Sequence, residues 1–264
     1  MKEGLEQKSF ESKENGRNVH IRAKFVRHGE KSSFDGDLTE KGVEGAKKYG
    51  REFEPLKDRV KGFYSHIKRS KDTLENITQE IDTEKKYKSR PRNDLILNDP
   101  GEMPWSEDSL RKYKELVKAG DESAALDWYL SYGDRRPDAE TISPKEAAAR
   151  LAGLIEKYVR MVSKLKNGSS VDFVHISHSG TIEPFLQQVI GNEIEQNPIA
   201  PDGKTFLEKL GGMINFLEEF EVDIKTDEND NLAVELTFRG RKFSIDHAKL
   251  KEISLYNENG NDNE

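Results

Sequence analysis

The amino-acid sequence predicts an α/β fold, a three-layer α/β/α sandwich with a mainly parallel sheet. Between residues 19 and 190, segments typical of strands alternate with segments typical of helices, which indicates parallel strands joined by helices. Two consecutive helical segments between residues 106 and 132 have no strand between them, and they predict a helical cap insertion above the sheet edge. Alternating apolar and polar residues after position 216 predict a C-terminal β-hairpin.

Capping residues and glycines mark the ends of the predicted elements. Thr39 is expected to cap the first helix. Ser143, followed by Pro144 and Glu146, is a strong start for a long helix. Gly191 is expected to end the helix after the last parallel strand. The predicted strands are 19–26, 60–66, 94–97, 171–177, 216–225, 232–238 and a third hairpin strand at 243–245, and the predicted helices are 39–53, 68–80, 106–119, 122–132, 143–166 and 181–190.

The chain has 264 residues, and residues 19–255 are expected to form one domain in which about 98–142 make the helical cap. Residues 1–18 and 256–264 are polar and charged, and they are predicted to be a disordered leader and a disordered tail. The net charge of −7 argues against broad binding to nucleic acid or anionic membranes. Because no apolar run approaches the roughly 18 residues that span a bilayer, a cytoplasmic location is expected. The absence of cysteine excludes disulfides and thiolate chemistry.

Candidate phosphate ligands follow three of the predicted strands. Arg27 and His28 come directly after the first strand. Arg69 follows the second strand, and His178 follows the strand that ends at Ser177. Parallel strands end at one sheet edge, where open α/β sheets bind ligands, so these side chains are expected to converge. A guanidinium binds phosphate through two parallel hydrogen bonds and an imidazole can attack phosphorus, so this edge is predicted to bind a phosphate dianion.

Four segments resemble, in the same order, motifs of the histidine phosphatase superfamily, which has the phosphoglycerate-mutase-like fold. The resemblance covers roughly residues 20 to 190, and the order and spacing of the motifs agree. A weaker fifth match is Pro-Asp-Ala-Glu-Thr at 137–141, before a helix that contains Arg150. The four segments are Val-Arg-His-Gly-Glu at 26–30, Leu-Thr-Glu-Lys-Gly at 38–42, the serine, arginine and threonine pattern at 65–73, and Ile-Ser-His-Ser-Gly at 176–180.

The resemblance implies specific roles for the residues at the sheet edge. His28 would be the nucleophile that becomes phosphorylated. Arg27, Arg69 and His178 would hold the phosphoryl oxygens, and an acidic residue would protonate the leaving oxygen. Neighbouring cations favour the neutral form of His28 that such an attack requires.

The proton donor of the resembled family follows the third strand. Here the strand 94–97 is followed by Asn-Asp-Pro-Gly-Glu, which ends at Glu102. Glu102 is therefore expected to be the donor, with Asp99 and Glu107 as the alternatives. No metal site is expected, because His175 and His178 are three residues apart on an extended segment and point to opposite faces.

The expected activity is that of a metal-independent histidine acid-type phosphatase, which hydrolyses a phosphomonoester through phosphohistidine without a cofactor. The expected substrate is a phosphorylated small molecule or a phosphoprotein, and neither nucleic acid nor a membrane is an expected partner. A phosphoglycerate-type mutase is the near alternative, disfavoured because the stretch 31–37 is short and lacks the tryptophan-asparagine wording of sugar-phosphate mutases. A catalytically weak phospho-ligand binding or scaffold protein is the second alternative. The sequence leaves the oligomeric state open.

Overall fold

A computed structural model describes residues 18–33, 36–56, 59–81, 90–91, 105–120, 122–195, 204–229 and 231–259 of the protein. The strands are β1 (His20–Arg27), β2 (Val60–Tyr64), β3 (Arg90–Pro91), β4 (Ser170–Ser177), β5 (Glu219–Thr226), β6 (Leu232–Phe238) and β7 (Arg241–Ser244). The helices are α1 (Glu40–Glu52), α2 (Lys68–Glu80), α3 (Glu107–Lys118), α4 (Glu122–Leu130), α5 (Pro144–Val162), α6 (Ser179–Glu195), α7 (Phe206–Leu210) and α8 (His247–Asn259).

The strands form one sheet in the order β3-β2-β4-β1-β5-β6-β7. The first four pair in parallel, whereas β5, β6 and β7 are added by antiparallel pairing. Of the seven strands in the described ranges, β1 to β4 and β6 therefore run in the same direction, which confirms the mainly parallel sheet. β5 and β6 form the predicted C-terminal hairpin.

The register of the central strands brings their carboxyl ends to one level. β1 ends with Arg27 opposite Ser177 of β4, and β2 ends with Tyr64 opposite Ile176 of β4. The pairing continues past the strand end, since the His28 amide donates to the Ser177 carbonyl oxygen at 3.0 Å. The segments that follow β1, β2 and β4 therefore start at the same edge of the sheet.

Helices cover both faces of the sheet and complete the three layers. On one face α1 and α2 pack against an apolar cluster that includes Val26, Val174 and Leu74. On the other face α5, α6 and α8 contribute to a larger core, in which the rings of Phe25 and Phe220 stack with centroids 4.7 Å apart. The predicted three-layer architecture is confirmed.

Side-chain caps begin two helices where the sequence predicted them. Thr39 Oγ1 accepts a hydrogen bond from the backbone amide of Gly42 at 3.0 Å and begins α1. Ser143 and Glu146 form a complete capping box at the start of α5, in which Ser143 Oγ accepts from the Glu146 amide at 3.1 Å. These oxygens satisfy amide groups that have no partner inside the helix.

Two helices differ from those predicted from the sequence. The predicted helix end at Gly191 is wrong, because α6 continues to Glu195 and buries Ile194. Burial of that side chain outweighs the roughly 1 kcal/mol that glycine costs inside a helix. Helix α8, which runs from His247 to Asn259, has no counterpart among the predicted helices and extends into the first residues of the predicted tail.

Other predictions concern segments that the structure leaves undescribed. The predicted strand 94–97 lies outside the described residues, and within those residues β3 is the strand that pairs with the free side of β2. Residues 1–17 of the predicted leader and 260–264 of the predicted tail are also outside them. Among the helices that are described, none is long and apolar enough to cross a membrane.

Candidate active site

The structure brings together the four side chains that follow the strand ends. Arg27 and His28 are each 2% exposed at the end of β1. Arg69 lies in the first turn of α2, and His178 directly precedes α6. The ring centroids of His28 and His178 are 5.1 Å apart, and Nε of Arg69 donates to Nε2 of His28 at 3.2 Å. Two guanidiniums and two imidazoles therefore share one buried pocket.

His28 is held in one tautomer by the residue that follows it. Its Nδ1 lies 2.8 Å from the carbonyl oxygen of Gly29, which can only accept, so Nδ1 carries the proton. The lone pair of Nε2 is left facing Arg69. Burial, followed by the charge of Arg69, holds the pKa of His28 well below 6.5. At neutral pH the ring is therefore uncharged and nucleophilic at Nε2.

Gly29 allows the backbone after His28 to pass close to α1. A Cβ atom at position 29 would lie 2.9 Å from the carbonyl oxygen of Gly42, nearer than side chains normally approach. The Gly29 amide donates to Thr73 Oγ1 at 3.0 Å, and this hydroxyl donates to the carbonyl oxygen of Arg69 at 2.7 Å. Thr73 thus links the segment that carries His28 to the helix that carries Arg69.

His178 is oriented by serines from two other elements. Its Nε2 lies 2.8 Å from Ser65 Oγ after β2 and 3.2 Å from Ser70 Oγ on α2. Burial, followed by the charge that His28 would carry, holds the pKa of His178 well below 6.5. Both imidazoles of the pocket are therefore neutral at neutral pH, and the positive charge near them belongs to the two guanidiniums and to Lys31.

Arg27 is contacted from three sides. Its Nη1 donates to the carbonyl oxygen of Ile214 at 2.7 Å, and its Cζ lies 4.2 Å from the ring centroid of Phe216, a cation–π contact. Its Nη2 donates to both carboxylate oxygens of Glu122 on α4, at 3.0 and 3.1 Å. Nζ of Lys31 lies 4.0 Å from the same carboxylate. An anion that binds Arg27 through Nη2 would therefore meet Glu122.

This set of groups is chemically suited to a phosphoryl group. The two guanidiniums can hold phosphate oxygens in a planar, forked geometry, and a neutral imidazole can attack phosphorus. Phosphoryl transfer depends mainly on positioning and on neutralising the charge of the equatorial oxygens. The side chains of the pocket can supply both the positioning and the neutralising charge.

A comparison with protein-family models matches residues 24–201 to the histidine phosphatase superfamily (branch 1). The match covers more than half of the chain and includes all four side chains of the pocket. The chain belongs to the histidine phosphatase superfamily. Membership of this superfamily supports a phosphatase- or mutase-type activity.

Solved structures of mycobacterial proteins share the superfamily fold with this chain. The mycobacterial glucosyl-3-phosphoglycerate phosphatase has a TM-score of 0.51 and 16% identity, over 83% of this chain and 98% of that one. A protein described as mycobacterial hydrolase 2 has a TM-score of 0.52 and 14% identity, over 89% of this chain and 97% of that one. A sequence comparison with curated proteins finds no match. Identities this low establish the shared fold alone.

Residues 211–218, called here the backing loop, support Arg27 from outside the part matched to the superfamily. In addition to the contacts with Ile214 and Phe216, the Leu217 amide donates to the carbonyl oxygen of Arg27 at 3.0 Å. This role was not predicted from the sequence, because residues 216–218 were expected to belong to a strand. In the structure that strand, β5, begins later, at Glu219. The glycine pair that starts the loop signals a turn, but the sequence does not show what the turn packs against.

Arg239, which lies between β6 and β7, fixes the backing loop. Its guanidinium donates to the carbonyl oxygens of Leu210, Gly212 and Met213 at 2.8, 3.0 and 3.0 Å. It also donates to the two carboxylate oxygens of Glu218 at 2.6 and 2.9 Å. Both ends of the loop are thereby bound to one side chain. The sequence gives no signal for this arginine, because three of its partners are backbone oxygens 26 to 29 residues upstream.

Among the described residues, the carboxylate that contacts Arg27 is not one of the three that were expected. Glu102 and Asp99 lie outside the described residues, so their predicted role stays a prediction. Glu107 is exposed in the first turn of α3. Glu122, the first residue of α4, was not a candidate, yet it contacts Arg27 with both oxygens. It follows another helix rather than a strand, so the strand-end argument that found the other residues could not find it.

A second unanticipated carboxyl, that of Glu183 on α6, contacts Ile214, whose carbonyl oxygen accepts from Arg27. The side chain is fully buried, and its Oε1 accepts a hydrogen bond from the Ile214 amide at 3.0 Å. Burial raises the pKa of Glu183 to about 8, although the charge of Arg27 opposes this shift. Glu183 is therefore mostly protonated at neutral pH.

His175 belongs to the core rather than to the pocket. Its ring stacks between Phe25 and Phe63, with centroids 4.7 and 4.9 Å away, and its Nε2 lies 2.9 Å from the Tyr158 hydroxyl. His178 follows the end of β4 and contacts Ser65 and Ser70, so the two histidines lie in different surroundings. In the described part of the chain, no group of three histidine, aspartate or glutamate residues could hold a metal ion.

Proposed function

We propose that this superfamily member hydrolyses phosphomonoesters through a covalent phosphohistidine at Nε2 of His28. The hydrogen bond of 2.8 Å between its Nδ1 and the Gly29 carbonyl oxygen carries the proposal, because it leaves the Nε2 lone pair beside Arg69. A nucleophile that is already oriented loses little further freedom when it attacks phosphorus.

In the proposed complex Arg27 and Arg69 hold the oxygens of the phosphoryl group, and His178 is the third ligand. The two guanidinium charges match those of a phosphate dianion. They also neutralise the charge on the equatorial oxygens in the loose transition state. We propose that the reaction needs neither a metal ion nor a cofactor.

The proposed reaction has two steps. Nε2 of His28 first attacks phosphorus, the P–O bond breaks, and the leaving oxygen takes a proton from an acid. Water then attacks phosphorus and gives a proton to the conjugate base of that acid, and the electron pair of the P–N bond returns to Nε2. Glu102 is the donor proposed from the sequence, with Asp99 and Glu107 as alternatives.

A phosphoglycerate-type mutase is the second candidate function, because the superfamily includes this activity. We favour hydrolysis because the sequence stretch 31–37 is short and lacks the tryptophan-asparagine wording of sugar-phosphate mutases. A protein that binds phosphorylated ligands without turnover is the alternative that is not an enzyme. The contact between Arg27 and Glu122 is the observation that favours this alternative, because a carboxylate already occupies a cation that catalysis would need.

Rapid-quench mass spectrometry with p-nitrophenyl phosphate tests the proposal. We expect one phosphoryl group on the peptide that contains His28, and we expect His28→Ala to lose phosphate release. His247→Ala is the matched control, because His247 contacts Glu156 at 2.8 Å and is remote in sequence from the pocket motifs. Phosphate trapped on another residue would contradict the proposal.

Two further results separate the alternatives. Transfer of the phosphoryl group to a phosphoglycerate instead of water would indicate the mutase, and phosphate binding without turnover would indicate the binding protein. We propose a phosphorylated small molecule or a phosphoprotein as the substrate. A screen of sugar phosphates, nucleotides and phosphoproteins without added metal would identify it, and the name of the mycobacterial neighbour adds glucosyl-3-phosphoglycerate to that panel.

A further inference from the structure

Helix α4 of the cap places a carboxylate against a phosphate-binding guanidinium. Both oxygens of Glu122 accept from Nη2 of Arg27, at 3.0 and 3.1 Å, and Lys31 Nζ lies 4.0 Å from one of them. The side chain of Glu122 is 27% exposed, whereas that of Arg27 is 3% exposed. The carboxylate therefore borders both the solvent and the cation that would hold the phosphoryl group.

The nucleophile and this carboxylate are carried by different elements that meet at Arg27. His28 follows Arg27 at the end of β1, whereas Glu122 begins α4, 95 residues further along the chain than Arg27. In-line displacement places the attacking and leaving atoms on opposite sides of phosphorus. A phosphoryl group that is held by Arg27 and attacked by Nε2 of His28 has the carboxyl of Glu122 beside it, where a proton donor for the leaving oxygen is needed.

We propose that Glu122 is the catalytic proton donor to the leaving oxygen, an inference that rests on the proposed function. As the bond between Nε2 of His28 and phosphorus forms, the P–O bond breaks, and the leaving oxygen keeps its electron pair and takes the proton of Glu122. The resulting carboxylate then takes a proton from the water that attacks phosphorus. The P–N bond breaks with its electron pair returning to Nε2, which leaves inorganic phosphate and a protonated Glu122.

The surroundings of Glu122 explain how the proton becomes available. In the free protein the carboxylate is paired with Arg27. A phosphoryl dianion that binds Arg27 takes over this cation, so the carboxyl of Glu122 loses the ion pair that it makes in the free protein. Because Glu122 is partly exposed, it can exchange that proton with solvent.

Two other carboxyls of the described residues fit this role less well. Glu183 is fully buried and accepts a hydrogen bond from the Ile214 amide, so, unlike Glu122, it does not border the solvent with which a proton donor must exchange. Glu107 is exposed on α3. Glu102 and Asp99 are compared directly in the experiment.

Steady-state kinetics of Glu122→Gln with two classes of phosphomonoester test the proposal. Glutamine keeps an oxygen that accepts from Arg27, but it cannot deliver a proton. We expect kcat/KM for an alkyl phosphate to fall about 100-fold or more, and kcat/KM for p-nitrophenyl phosphate, whose leaving oxygen needs no proton, to fall less than about tenfold. Glu122→Asp keeps a proton and should recover part of the activity on the alkyl phosphate.

The matched control is Glu115→Gln, which changes an exposed carboxylate on the same cap and should leave both rates unchanged. The variants Glu102→Gln, Asp99→Asn and Glu107→Gln are assayed with the same pair of substrates. Equal loss on both substrates in Glu122→Gln would overturn the proposal. A loss confined to the alkyl phosphate that occurs only in one of the other three variants would also overturn it.

Trapping separates failure of this inference from failure of the proposed function. We expect phosphate on His28 in the wild-type protein and in Glu122→Gln when p-nitrophenyl phosphate is the substrate. If the wild-type protein shows no phosphate on His28, the proposed function fails. If it does, and Glu122→Gln turns over alkyl phosphates at the wild-type rate, only the role of Glu122 fails.

Discussion

The pocket floor and the backing loop contribute to the same candidate active site by different means. The floor, formed by His28, Arg69 and His178, consists of side chains at strand ends and helix starts, inside the part matched to the superfamily. The backing loop, residues 211–218, lies downstream of that part. It holds the guanidinium of Arg27 with one backbone oxygen and one aromatic ring.

The side chains of the floor are the groups proposed to react or to bind phosphate, whereas the backing loop only supports one of them. A nucleophile or a phosphate ligand must be a particular side chain, so the floor is recognisable from residue types and spacing. A backbone carbonyl oxygen is available at every position, so a loop can support Arg27 without any motif. Substitutions that act on one part and spare the other can therefore test whether the loop matters for function.

Arg27→Lys should give the largest loss of kcat/KM, because Arg27 connects the pocket floor to the backing loop. Lysine keeps the charge but loses the planar fork, so it cannot bind the Ile214 carbonyl oxygen and a phosphoryl oxygen together. We expect kcat/KM for p-nitrophenyl phosphate to fall about 100-fold or more in steady-state assays. Arg241→Lys, on the exposed part of β7, is the control and should behave as the wild type. A loss below about threefold would show that the charge alone suffices.

The sequence predicted the floor because its signals are local. Arg27 and His28 end a strand with clear alternation, and the motif around His178 follows a buried one, so the parallel topology was enough to bring them together. Helix starts with side-chain caps, such as those at Thr39 and Ser143, were predicted for the same reason. Each of these features is set by residues within a few positions of one another.

The features that the sequence missed depend on contacts between distant segments. Gly191 signals a helix end, yet α6 continues because Ile194 is buried in the core. Glu122 reaches Arg27 only through the folding of α4 against a strand end that lies 95 residues earlier in the chain. Arg239 binds backbone oxygens, which no residue type marks. Tertiary packing decides these outcomes, and a single sequence does not specify it.

Arg239→Ala should give a smaller effect than Arg27→Lys, mainly on binding. The change removes hydrogen bonds to Leu210, Gly212 and Met213, so the loop that supplies the Ile214 carbonyl oxygen loses its fixed position. We expect KM and the inhibition constant of inorganic phosphate to rise about tenfold, with kcat changed less than about threefold. Arg239→Lys should lie between the two proteins.

A destabilised control is needed, because Arg239→Ala also removes stability. Ile253→Ala empties a buried site in α8 and should cost about 2–5 kcal/mol of unfolding free energy. It should nevertheless leave the inhibition constant of phosphate unchanged. If both variants weaken phosphate binding equally, general destabilisation explains the effect, and the backing loop does not position Arg27.

Glu183→Gln should have the smallest effect on turnover. The pH dependence of its stability tests the contact between the backing loop and α6. The pKa of Glu183 is about 8 in the folded protein, above the ordinary value of 4.5, so between these values the folded protein binds more protons than the unfolded chain. The stability that Glu183 contributes is therefore complete below pH 4.5 and is lost as the pH rises through about 8.

Glutamine is uncharged throughout this range, and its carbonyl oxygen can still accept from the Ile214 amide. Denaturant unfolding is measured for both proteins at pH 5, 6.5 and 8. The free energy of unfolding of Glu183→Gln should rise relative to that of the wild type by on the order of 1 kcal/mol for each unit of increase in pH. The lowered pKa values of His28 and His178 affect both proteins alike and cancel in the difference. A difference that does not change with pH would mean that the loop is held by hydrogen bonds alone, and that the pH dependence of stability comes from the pocket floor.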